Sequence, residues 1–345
     1  MPQPIPNRES VPQQGLADRS RIRRVSVIAL TAAAACWGVG TVVTKQVVDA
    51  VAPLTLLPLQ LAASCVFLVA AAGVRRERPA WDPPMRRLAA LGLLNPGAAY
   101  ALGLIGLTTI TASMSVLLWA LEPVLILLLA ALLLREHVSA RLGASVAVAM
   151  VGVLLVVYQP GAAGAPVGIV LTLVAVACCA LYTVITRKLV LDDSSLMIVL
   201  AQQATALAFA VVIATVVGAA GGTGWSFAGM DAAAWLAAAA SGVLYYGLAF
   251  WLFVTGLRHV PASYAGAFLP LIPVAGLSAG YLVGERLEPR QWLGAAVIVV
   301  ATAVLALSQR HERRCRRADR PRLAVCLSRP RTRRSSCRSS GSACR

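Results

Sequence analysis

The chain has 345 residues, 59% of them hydrophobic and only 13% charged, against about 25% charged in a soluble domain, so an ordinary water-soluble globular protein is excluded. Its net charge of +17 sits mostly on two flanks: residues 1–24 hold five Arg and two acids, and residues 308–345 hold thirteen Arg and two acids. A basic excess placed this way orients membrane spans, and no nucleic-acid partner is expected.

In chain order, residues 1–24 are rich in Pro and Gln and lack apolar periodicity. They are expected to form a disordered cytoplasmic N-terminus. Ten apolar runs then follow, each near the ~20 residues that cross a hydrocarbon layer. The first five cover 25–48, 53–74, 87–107, 111–134 and 141–158. A short uncharged Gly/Pro/Ala linker at 159–167 is assigned to the periplasmic or extracellular side. The second five cover 168–186, 195–217, 232–257, 261–283 and 291–307. The tail, 308–345, is Arg- and Ser-rich and is expected to be disordered in the cytoplasm. The fold class is therefore an all-α membrane protein of ten transmembrane helices, with five-helix units at 25–158 and 168–307.

Loop charge alternates along this scheme. Arg75, Arg76, Arg78, Arg86 and Arg87 lie between the second and third runs. Arg135 and Arg141 follow the fourth, Arg187 and Lys188 the sixth, and Arg258 the eighth. The intervening loops at 49–52, 108–110, 159–167 and 218–231 have no Lys or Arg. Only 284–290 departs, with two Arg balanced by Glu285 and Glu288. The positive-inside rule then places both termini in the cytoplasm of a multi-pass cell-membrane protein.

The two halves resemble each other. Thr41-Val42-Val43-Thr44-Lys45 aligns with Thr183-Val184-Ile185-Thr186-Arg187, and the same offset sets Gln60 on Gln202. Gly92, Leu94, Gly97, Gly106 and Leu107 fall on Gly242, Leu244, Gly247, Gly256 and Leu257, and Glu136 falls on Glu285. Repeats of five spans must be inverted, because five is odd. Inverted repeats are a transporter signature, with the site near the midplane between them.

Several motifs stand at matched points of this repeat. The first half carries Leu121-Glu122-Pro123-Val124, Leu134-Arg135-Glu136, Leu142-Gly143 and Gly152-Val153-Leu154-Leu155. The second carries Ile272-Pro273-Val274, Gly284-Glu285-Arg286-Leu287 and Gln291-Trp292-Leu293-Gly294. Over residues 25–307 the chain resembles the drug/metabolite transporter superfamily, specifically an EamA-type transporter with two tandem EamA domains. The resemblance implies a secondary carrier in the cytoplasmic membrane that exports metabolites or toxic compounds. Two positions depart from the family pattern: Gln60 stands where an Arg is frequent, and Arg135 precedes Glu136 in place of the usual Gly.

Glu122 is the one carboxylate deep inside an apolar run, where a charge costs about 2.5–3.5 kcal/mol on insertion scales. It is the candidate for proton coupling, since a buried carboxylate can load and release a proton as a cavity changes sides. Its other reading is structural, with the side chain bonding backbone groups that Pro123 sets free. Pro123, Pro270 and Pro273 are candidate helix breaks or hinges at equivalent points, and packing kinks are the alternative. Substrate-pathway candidates are Trp37, Gln60, Asn95, Tyr100, Trp119, Tyr182, Gln202, Tyr245, Tyr246 and Trp251. These are polar or aromatic residues within spans, where helix packing and interhelical hydrogen bonds compete as explanations. Glu136 and Glu285, at helix ends beside basic residues, are read as structural.

Other classes find little support. Gly276-Leu277-Ser278-Ala279-Gly280 fits G-x-S-x-G, but a nucleophilic Ser needs a nearby base. His259 lies about 28 Å away along a helix rising ~1.5 Å per residue. No P-loop or H-E-x-x-H occurs, and the tail cysteines lack zinc spacing. No enzyme activity, catalytic residue, metal or cofactor is expected. The expected partners are a small-molecule substrate, protons and the lipid bilayer, with the chain a monomer or homodimer. An exporter working by proton-coupled alternating access is the leading reading. The alternatives are an uncoupled facilitative exchanger and a non-transport scaffold or lipid-handling protein.

Overall fold

The structure is a computed structural model that describes residues 11–48, 51–78, 81–107, 109–110, 112–158, 165–190, 194–222, 224–228, 230–282, 284 and 288–307. Fourteen α-helices follow in order: α1 Val11–Val48, α2 Pro53–Arg75, α3 Pro83–Gly92, α4 Ala99–Leu107, α5 Ala112–Trp119, α6 Glu122–Leu133, α7 Ala140–Val157, α8 Pro166–Leu189, α9 Ser195–Ala219, α10 Ala232–Ser241, α11 Ala249–Leu257, α12 Ala262–Gly266, α13 Leu271–Leu282 and α14 Pro289–Leu307. Two π-helical stretches, Leu93–Ala98 and Gly242–Leu248, join α3 to α4 and α10 to α11.

Eight segments among the described residues are long and apolar enough to span a membrane. The expected third and fourth runs are not among them, and each is broken. The backbone at Asn95 leaves helical geometry (φ −149°, ψ 123°), next to a proline that lacks a donor N–H. The fourth run divides at Ala120 and Leu121 into α5 and the twelve-residue α6. Pro123 therefore occupies the first turn of a restarted helix, where its missing N–H costs little, and does not kink a continuous one. On the other half, Pro270 closes the turn between α12 and α13, and Pro273 sits in the first turn of α13.

The N-terminus also differs from expectation. Residues 11–24, read as disordered, are the start of α1. After Pro12 the segment holds no proline, and its Gln, Leu, Ala and Arg residues are good helix formers. The apolar span itself begins at Arg24, so the charged turns prolong the helix beyond the hydrocarbon. Glu285 and the 159–164 and 308–345 segments lie outside the described residues.

Local signals set several helix starts. The Asp82 carboxylate accepts from Met85 N at 2.9 Å to cap α3, and Asp231 accepts from Ala234 N at 2.7 Å to cap α10. These are the same device at matched points of the repeat. At the end of α6, Arg135 takes a left-handed backbone (φ 52°) where the second half has Gly284 (φ 97°). The Cβ of Arg135 makes that conformation more costly than it is for glycine.

Packing follows the repeat closely. A Cβ on Gly92 would lie 2.0 Å from the Gln202 carbonyl oxygen, and one on Gly242 would lie 2.4 Å from the Gln60 carbonyl oxygen. Each half thus lays its α3-type helix on the α2-type helix of the other. Gly152 of α7 and Gly294 of α14 meet backbone to backbone; a Cβ on either would come 2.6–2.8 Å from the other's carbonyl oxygen. Small residues at such crossings allow the close approach that drives helix association in lipid. The principal core gathers Leu30, Leu57, Leu61, Leu68, Leu196, Ile198, Phe250 and Phe268 from both halves. Val66, Val69, Leu132, Leu236 and Val300 remain exposed on the outside, as lipid-facing positions do.

Candidate functional site

Both π-helical stretches bring aromatic or polar groups to the middle of the bundle. Tyr245 and Tyr246 come from Gly242–Leu248, and buried Asn95 from Leu93–Ala98. Tyr100 joins them from the first turn of α4. Its hydroxyl donates to the Tyr245 hydroxyl at 2.9 Å, a bond across the two halves. Trp119, at the end of α5, stacks on Tyr100 with ring centroids 5.8 Å apart. Tyr100 also meets Tyr246 edge-on at 5.4 Å. Tyr246 stacks on Phe250 at 6.4 Å, and Phe250 meets Trp37 at 5.3 Å and Tyr182 at 6.1 Å. The result is one continuous lattice of rings from Trp119 to Trp37, built from α1, α4, α5, α8, α11 and the second π stretch.

Glu122 opens α6 three residues after Trp119 and lies within electrostatic reach of Tyr245 and Cys179. It is the acidic residue of the first turn of α6, next to Pro123. Leu121, the residue before α6, supplies no side-chain cap.

Two glutamine clusters flank the rings. Gln60 Nε2 donates to Ser241 Oγ at 2.8 Å and to Thr44 Oγ1 at 3.1 Å. The Tyr182 hydroxyl donates to Gln202 Oε1 at 2.8 Å, and Gln203 Nε2 donates to the Tyr246 carbonyl at 2.9 Å. Several buried polar atoms keep unused hydrogen-bonding capacity: Trp37 Nε1, Asn95 Oδ1, Gln202 Nε2 and Gln203 Oε1. Leaving such atoms unpaired in a low-dielectric interior costs about 1–3 kcal/mol each.

Most of the sequence candidates meet here, but Trp251 does not. Its ring lies against Phe67 at 6.4 Å and carries the Arg75 guanidinium 4.8 Å above its face, away from the ring lattice. Phe250, Phe253 and Ser241 were not singled out from the sequence. Phe250 is the repeat partner of Tyr100, so the internal alignment carried a signal for it. Among the described residues no cluster of His, Cys, Asp or Glu could hold a metal ion.

Glu136 acts at a distance from the rings. Its carboxylate accepts from Ala262 N at 2.8 Å, Ser263 N at 3.0 Å and Ser263 Oγ at 2.5 Å. It thereby ties the connection after α6 to the start of α12. Nearby, Arg187 Nε donates to the Val260 carbonyl at 2.7 Å. At the far ends of α7 and α14, Arg290 donates to the Tyr158 carbonyl at 2.8 Å.

No curated protein matches the sequence. A solved structure described only as "Crystal structure of protein" superposes with a TM-score of 0.70 at 20% identity, over 84% of this chain and 99% of its own. At that identity the likeness concerns the fold alone. The model of the EamA-like transporter family matches twice, at residues 24–158 and 166–307, the same two halves that exchange Gly92–Gln202 and Gly242–Gln60 contacts. The chain belongs to the EamA-like transporter family.

Proposed function

We propose that this membrane transporter exports small organic metabolites or drugs by proton-coupled alternating access, through ten spans in two inverted repeats. One observation carries the reading. Glu122, the single carboxylate within the apolar spans, stands at a helix break beside rings contributed by both halves. Broken helices at matched points, facing each other near the centre, are where carriers hold substrate. An ionisable group there is a functional candidate by default.

In this reading the substrate displaces the Tyr100–Tyr245 contact and is held by the ring faces and the unpaired amide groups. Glu122 carries a proton in one orientation and releases it in the other. The Glu136 and Arg187 contacts close the face that bears the basic loops, and rocking of the halves parts them.

Uptake into inside-out vesicles under an imposed pH gradient tests the coupling. The wild type is expected to accumulate a substrate from a metabolite and drug panel only with the gradient, and Glu122→Gln is expected to lose that dependence. Equal gradient-driven flux in both proteins would refute the role of Glu122. Flux that ignores the gradient in both would indicate a facilitative exchanger, and absence of flux across the panel would favour a scaffold or lipid-handling role.

A further inference from the structure

A pocket lies where the charged end of α1 passes the connection between α11 and α12. It has a volume of about 270 Å³ and is lined by Arg21, Ile22, Val25 and His259. Two features give it chemical character. On one side is positive charge: Arg21 is exposed at the mouth, and Arg258 and Arg187 both act electrostatically on His259. Partial burial, followed by those two cations, holds the His259 imidazole below its usual range, so the field at the pocket is positive. Glu136, the acid that reaches this connection, has its carboxylate taken up by Ala262 and Ser263.

On the other side is exposed apolar surface. Arg21, Val25 and Ile28 fall at i, i+4 and i+7 on α1, one face of a helix. Val25 and Ile28 are 48% and 67% exposed. The apolar span starts at Arg24, so Arg21 stands at headgroup level and the Val25–Ile28 strip runs into the hydrocarbon. Cationic groups above an apolar strip at a membrane interface complement one class of molecule.

We infer that the pocket of Arg21, Ile22, Val25 and His259 binds the phosphate headgroup of an anionic phospholipid from the adjoining leaflet, with an acyl chain laid along Val25 and Ile28. Charge complementarity selects anionic over zwitterionic lipid, and the apolar strip selects a lipid over a soluble phosphate. The site borders the Arg187–Val260 contact on the face of the basic loops and does not depend on the coupling proposed for Glu122.

Native mass spectrometry of the full chain released from nanodiscs tests this. The nanodiscs hold phosphatidylcholine with or without phosphatidylglycerol. Wild type is expected to retain phosphatidylglycerol several-fold more than phosphatidylcholine, and Arg21→Gln with His259→Gln to lose most of that preference. Arg21→Lys is expected to keep it, which separates loss of charge from misfolding, and Arg86→Gln on another basic loop is expected to leave it unchanged. Equal retention of the two lipids by wild type, or an unchanged preference in the double variant, would overturn the inference. Displacement of phosphatidylglycerol by millimolar inorganic phosphate would overturn it too, by assigning the pocket to a soluble anion.

Discussion

Tyr100 and Tyr245 show how much a single contact depends on both halves. Their hydroxyls meet at 2.9 Å although the residues are 145 apart in sequence. A net value of about 0.5–1.5 kcal/mol is typical for such a bond. Tyr100→Phe and Tyr245→Phe are each expected to lower the thermal midpoint in detergent by a few degrees. The double variant is expected to lose little more than either single one, since both remove the same bond. Fully additive losses in that double-mutant cycle would show that the hydroxyls do not act as a pair. Glu122 poses a different question at the same scale. Its cost in an apolar run was visible from composition, whereas its neighbours were not. Tyr245 and Trp119 reach its vicinity through separate elements, and only their placement turns an isolated acid into part of a site.

At the scale of elements, glycine decides where helices cross. Gly92 sits against the Gln202 carbonyl and Gly242 against the Gln60 carbonyl. The atoms a Cβ would strike are backbone, which cannot swing aside as a side chain can. Gly92→Ala and Gly242→Ala are therefore expected to destabilise by similar amounts, about 1–3 kcal/mol each. Thermal unfolding of the two variants side by side checks this. A large loss in one and none in the other would deny the matched crossings. The breaks in the third and fourth runs belong to the same scale. Asn95-Pro96 and Pro123 were readable as breakers, but propensity alone does not tell whether a proline kinks a helix or restarts one. Trp119 ends one piece and Glu122 begins the next, so the acid stands in a first turn and not in mid-helix.

For the whole molecule, the two faces carry different ties. Glu136 and Arg187 join segments beside the basic loops, and Arg290 joins α14 to Tyr158, the residue that follows α7. If the basic loops are cytoplasmic, a cysteine at position 158 is expected to react with an impermeant maleimide in intact cells. One at position 137 is expected to react only after permeabilisation. Both would be introduced with the native cysteines replaced by Ala; the reversed pattern would invert the topology.

Sequence alone determined the membrane class, the two-fold internal repeat and the family, because hydropathy, loop charge and motif spacing are properties of short stretches. It also marked Tyr100, Trp119, Tyr245 and Gln202 as unusual for their surroundings. Which of these meet was decided by the tertiary structure alone. Trp251 had the same credentials as Trp119, yet Phe67 and Arg75 hold it at another place. Phe250, an unremarkable apolar residue in sequence, became the link between Trp37, Tyr182 and Tyr246. The physical reason is distance along the chain. Apolar periodicity tells which residues avoid water, but in lipid nearly every face is apolar. Close backbone crossings and cross-repeat hydrogen bonds then select the inner face, and those exist only once both halves are folded together.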